Sequence, residues 1–193
     1  MPIRLALICH APTHANRSSS FPKDEPLDDL GLQKARAVSQ RFDKAIRYWR
    51  SPALAAQQTA EAMDIHALIE PELRECDYGR WAGMSINDIA ASDRDGLSQW
   101  LNDPAARPHG GENLVAVLRR VAAWLDQQQG DGLIVAITHV SIVRAAIVCA
   151  LDAPSIAFWR IDISPLSVTW LSRSSRPWTL LSTNEELTRK RRS

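Results

Sequence analysis

"IRLALICHAPTHAN", residues 3–16, decides the fold. Ile3 to Cys9 is a short apolar run, the pattern of a strand buried on both faces, and it stops at His10, with Pro12 and Asn16 following. A second such run, "GLIVAITH" (132–139), follows Gly130-Asp131-Gly132, is rich in β-branched residues and also ends on a histidine, His139. Helical patterns lie between and after them. Residues 27–42 carry a cap at Asp28 or Asp29, residues 51–63 open on Ser51 and Pro52, and residues 141–151 start almost directly after His139. In residues 113–129, Leu114, Val117, Leu118, Val121, Trp124 and Leu125 fall on one stripe. Residues 160–171 and 178–182 read as closing strands, with 172–177 as the turn between them. Strands alternating with helices predict a three-layer α/β/α fold with a mostly parallel central sheet, whose ligands bind at the carboxyl ends of the strands. Both His10 and His139 fall there.

Composition narrows the function. With 193 residues and 45% hydrophobic content, the chain is expected to form one domain. Its 23 basic and 22 acidic side chains give a net charge of +1, so no global field favours nucleic acid. Only the tail, 185–193, is locally basic, through Arg189-Lys190-Arg191-Arg192, and it reads as a solvated terminus. Cys9, Cys76 and Cys149 are odd in number and lack metal-type spacing, which suggests reduced thiols in a cytoplasm. No stretch has the apolar length of a membrane span or a signal peptide, so no membrane partner is expected.

Six stretches carry a family resemblance in order along the chain: "CHAPTHAN" (9–16), "PLDDLGLQKAR" (26–36), "SPALAAQQTA" (51–60), "LRECDYGRWAG" (73–83), "PHGGEN" (108–113) and "THVSIVRA" (138–145). Together they resemble the histidine phosphatase superfamily, also called phosphoglycerate mutase-like. The resemblance implies that His10 is the residue phosphorylated, Glu75 the proton donor to the leaving oxygen and His139 a phosphate-contacting partner, with no metal and no cofactor. Chemically, a neutral imidazole can attack phosphorus in line and form a phosphohistidine that water then hydrolyses. Glu75 needs a raised pKa to protonate the departing alkoxide. The ligand implied is a small phosphorylated molecule, with a homodimer left open. Residues 84–108 stand where the family carries a substrate lid, with Trp81 just before them and Trp100 within them.

The chain departs from that pattern where the phosphate is held. Cys9 stands in place of the arginine before the nucleophile, and Ala55 in place of the second phosphate arginine. Ala11 and Val140 replace glycines, and Ala82 a glutamate. Transition-state donors are worth about 2.7–4 kcal/mol each, so losing two without replacement costs roughly 10³ to 10⁶ in rate. Asn16, Arg17, Arg50 and Thr138 are the expected substrate contacts, Arg17 and Arg50 as replacement cations; His14, Arg74, Arg80, Arg107 and His109 are further rim candidates. Three readings stay open: a rearranged phosphatase of weak or restricted activity, a degenerate fold kept as a binding module, or different chemistry in the same cleft. Mutase activity is less favoured, because it would want the intact cationic pocket. A cysteine-phosphatase loop is excluded by spacing, since Ala15 stands six residues beyond Cys9. A metal site from His10, His14 and His139 is disfavoured by Pro12 and by the lack of a further ligand at suitable spacing.

Overall fold

The computed structural model describes residues 2–38, 42, 44–174 and 177–187. Every residue of strand β1 (Ile3–Cys9) except Arg4 is buried, which puts it inside a six-stranded sheet. The sheet also contains β2 (Arg47–Arg50), β3 (Leu68–Ile69), β4 (Gly132–Thr138), β5 (Ser167–Arg173) and β6 (Thr179–Glu186), in the order β3-β2-β4-β1-β5-β6. The pairs β3–β2, β2–β4 and β4–β1 are parallel, whereas β1–β5 and β5–β6 are antiparallel. This is the expected mixed α/β architecture. β1 and β4 pair in register from Ile3–Gly132 to Cys9–Thr138, and the His10 N–H donates to the Thr138 carbonyl at 2.8 Å. The two histidines therefore leave the sheet side by side.

Seven α-helices complete the described fold: α1 (His14–Ser18), α2 (Asp29–Ala37), α3 (Leu54–Ala62), α4 (Ile86–Ser92), α5 (Arg94–Asn102), α6 (Leu114–Gln127) and α7 (Val140–Ala150). The period-two alternation of the strands sorts the core into two faces. Leu5, Leu7, Ile134 and Ala136 pack with α6 and α7, while Ala6, Ile8, Val135 and Ile137 pack with α2 and α3. Asp28 caps α2 by accepting the Gly31 N–H at 2.6 Å. A Cβ on Gly31 would stand 2.3 Å from the Pro12 carbonyl oxygen, so glycine lets α2 press against the turn that follows His10.

Several boundaries differ from expectation for identifiable reasons. The strand expected from residue 160 begins at Ser167, because Pro165 offers no N–H to a ladder and Leu166 takes φ 55°. Residues 155–160 form a 3₁₀ turn instead. The second closing strand runs to Glu186, beyond the expected 178–182. β2, "RYWR", escapes the sequence reading because charged residues flank its half-buried centre. Ser51 does not cap α3, whose N-cap is Ala53. The helix expected over 27–42 ends at Ala37 with Val38 as its C-cap, and Phe42 lies in a turn; residues 39–41, part of the 172–177 turn and the tail arginines lie outside the described residues. Among those described, no helix is long and apolar enough to cross a membrane.

Candidate active site

His10 is 5% exposed, at the carboxyl end of β1. Its Nδ1 lies 2.8 Å from the Ala11 carbonyl oxygen; a carbonyl only accepts, so Nδ1 carries the proton and Nε2 keeps its lone pair. Burial, reinforced by neighbouring His139, pushes the His10 pKa down to about 4, so the ring is neutral at pH 7. His139, the N-cap of α7, packs its ring 5.1 Å from that of His10 at 70°. Its Nε2 is hydrogen-bonded to Ser51 Oγ at 2.7 Å, which also accepts the Ala53 N–H, and burial pushes its pKa down to about 3. His139 Nδ1 lies 3.6 Å from Glu75 Oε2. Ser51, His139 and Glu75 thus form a chain that looks like a serine hydrolase triad, but Ser51 is wholly buried and does not line the cleft.

Glu75 accepts hydrogen bonds from the Ser141 hydroxyl and, at 2.8 Å, from the Cys76 N–H. Burial raises its pKa against these bonds, which favour the carboxylate. The loop that carries it is clamped by Arg120, which is 8% exposed. Arg120 binds Glu112 through two nitrogens (2.8 and 2.9 Å) and donates to the carbonyls of Glu72 (2.6 Å) and Glu75 (3.4 Å). Glu112, from the "PHGGEN" stretch, therefore acts on the cleft through Arg120.

The cleft has a volume of about 530 Å³, and His10, Glu75, His139 and Asn16 all line it. The expected replacement cations do not. Arg17 turns outward onto Asp28 (2.5 Å) with half of its side chain exposed, and Arg50 donates to the Ser51 carbonyl (3.1 Å) and to Gln57. Nor does Thr138 reach the cleft; fully buried, it donates to the Leu73 carbonyl at 2.8 Å. None of the rim candidates His14, Arg74, Arg80, Arg107 and His109 lines the cleft, and Arg74 pairs with Glu72 and Glu112, Arg80 with Asp93. Asn16 holds the post-nucleophile turn, its Oδ1 accepting from the N–H and hydroxyl of Thr13 at 2.9 and 3.0 Å.

Of the two positions where the resemblance places arginines, only Ala55 lines the cleft, while Cys9 packs into the core on the α6–α7 side. Ala11 packs into the other core face, so its methyl does not crowd the site. The charged lining residues are Lys23 and Arg144 against Asp24, Glu25, Glu75 and Asp77. Arg144 escaped the sequence reading although a signal was present: Val140, Ser141 and Arg144 share one face of α7, and all three line the cleft. Its Nε donates to the Ile161 carbonyl at 2.6 Å, and its charge reaches the Cys9 thiol. Trp100 lines the cleft, and Trp81 is fully buried behind it.

A buried neutral imidazole and a carboxyl of raised pKa thus share one cleft at the carboxyl end of a parallel sheet. The chain belongs to the histidine phosphatase superfamily, branch 1, whose family model matches residues 5–186. It is 28% identical over 182 residues to a bifunctional protein of Mycobacterium tuberculosis, covering 86% of this chain and 50% of that one, so it spans half the length of that relative. It is 23% identical over 194 residues to phosphoserine phosphatase 1 of Hydrogenobacter thermophilus, covering 94% and 92%. Among solved structures, a mycobacterial glucosyl-3-phosphoglycerate phosphatase complexed with VO3 superposes with a TM-score of 0.82 at 25% identity, covering 95% of this chain and 99% of that one.

Proposed function

We propose that this chain hydrolyses phosphomonoesters through a phosphohistidine at His10, slowly and on a restricted set of substrates. The observation that carries the reading is the bond from His10 Nδ1 to the Ala11 carbonyl, which fixes the tautomer and leaves Nε2 as the nucleophile. In the first step Nε2 forms a bond to phosphorus, the bond from phosphorus to the alcohol oxygen breaks, and Glu75 gives its proton to the departing alkoxide. In the second step water oxygen bonds to phosphorus, the bond from phosphorus to Nε2 breaks, the water's proton passes to Glu75, and inorganic phosphate leaves. Arg144, Lys23 and His139 Nδ1 are the cleft groups available to the phosphoryl oxygens.

A second reading, a cleft that binds without turnover, is favoured by one observation: four carboxyl side chains line the cleft against two cations. Rapid-quench experiments with a radiolabelled phosphomonoester separate the two. The phosphatase reading expects acid-labile, base-stable label on wild type and none on His10→Ala; label on neither protein during turnover contradicts it.

A further inference from the structure

Residues 19–25 bring two carboxylates to the places that flank the nucleophile. Glu25 Oε1 accepts the Ala15 N–H at 3.0 Å, in the turn that follows His10. Asp24 Oδ1 accepts the N–H of Leu54 at 2.7 Å, beside Ala55, where the resemblance places an arginine. Both line the cleft, and their charges reach the two histidines, Glu25 acting on His10 and Asp24 on His139. A phosphate dianion seated on His10 would thus meet negative charge where the family pattern supplies positive charge.

Two independent observations indicate what the cleft takes. Its lining includes Phe21, Tyr78, Trp100 and Trp159, joined edge to face, with Phe21 4.8 Å from Tyr78 and 5.4 Å from Trp100, and Trp100 4.3 Å from Trp159. Aromatic rings and carboxylates lining one cleft are the chemistry that holds an alkylammonium group. His10, 5% exposed, lines the same cleft, and its Nε2 has no hydrogen-bond partner among the described residues, which marks a place kept for a reacting group.

We propose that the cleft selects phosphomonoesters whose alcohol carries an alkylammonium group, and that Glu25 sets this charge preference. The inference rests on the phosphatase reading only for the phosphoryl half of the ligand. The ammonium group supplies the positive charge that positions 9 and 55 lack, and the aromatic lining covers its alkyl substituents. Hydrolysis then follows the two steps given above, releasing inorganic phosphate and the ammonium alcohol.

The test uses the full chain. Intrinsic tryptophan fluorescence, with Trp100 and Trp159 as reporters, is titrated with choline and with its neutral isostere 3,3-dimethylbutan-1-ol. Choline is expected to bind about tenfold tighter, and Glu25→Gln, which keeps an oxygen for the Ala15 N–H, to erase most of that difference. Phosphocholine and 3,3-dimethylbutyl phosphate are then compared as substrates, with the same preference expected in KM. Equal binding of choline and the isostere by wild type overturns the proposal without any variant, as does a preference unchanged in Glu25→Gln. Choline preference without His10-dependent turnover supports the cation site and removes the phosphatase reading. His10-dependent turnover without ammonium preference keeps that reading and removes this inference.

Discussion

The protonation state of His10 follows from burial, and it has a consequence for stability. The folded pKa of His10 is about 4 and that of His139 about 3, both below the unfolded value near 6.5. Between those values the unfolded chain binds more protons, so the stabilisation from holding these rings neutral is full above pH 6.5 and is lost as pH falls towards 4. Glu75, whose folded pKa is raised, slopes the other way above about pH 4.5 and offsets part of the loss. Urea melts at pH 7 and 4.5 should show His10→Asn removing a pH-dependent loss on the order of 2 kcal/mol; an unchanged loss would mean that the ring charges freely in the folded state. The two positions where the resemblance places arginines behave differently. Cys9 is fully buried, so Cys9→Arg should destabilise by at least about 3 kcal/mol through overpacking and an unpaired buried charge. Ala55 lines the cleft, so Ala55→Arg should fold and tighten vanadate binding about tenfold, read by titration calorimetry. No tightening would show that cations are not what the cleft lacks. His10, Glu75 and His139 were legible from motifs and strand ends. Arg144 and Glu25 were not, because a helix face and a loop conformation, rather than spacing from the nucleophile, bring them in.

At the level of elements, β1 and β4 were legible because their apolar runs bury both faces, and this fixed the parallel register that sets His10 beside His139. β2 and β3 were not, since a four-residue strand with charged ends and a two-residue strand carry too little pattern. The expected lid excursion resolves into α4 and α5, capped by Ser85 and Asp93, with Trp100 on α5 brought to the cleft. The element on which the acid depends most is α6, through Arg120. The Arg120–Glu112 pair has side chains only 7% and 12% exposed. Arg120→Met leaves Glu112 only the half-exposed Arg74, 3.5 Å away, and should cost about 3–5 kcal/mol in urea unfolding. It should also lower kcat more than it raises KM, because the carbonyl of Glu75 loses its anchor. A cost below about 1 kcal/mol would place the pair among weak surface bridges.

Across the whole molecule, the fold places His10 and Glu75 on one cleft that two cations and four carboxyls line. The fold class and the place of His10 could be read from the chain, because parallel strands deliver their carboxyl ends to one side. The charge of the cleft could not, because it is the sum of residues from the 19–25 loop, the 75–77 turn and α7 that only the packed structure brings together. The central claim is that His10 turns over phosphomonoesters despite that charge. Steady-state hydrolysis of a phosphomonoester panel, with a chelator present, compares wild type with His10→Ala purified identically. The account predicts turnover of at least one ester by wild type and its loss, by about 10³ or more, in the variant. Equal turnover in both proteins, or none in either, would contradict it.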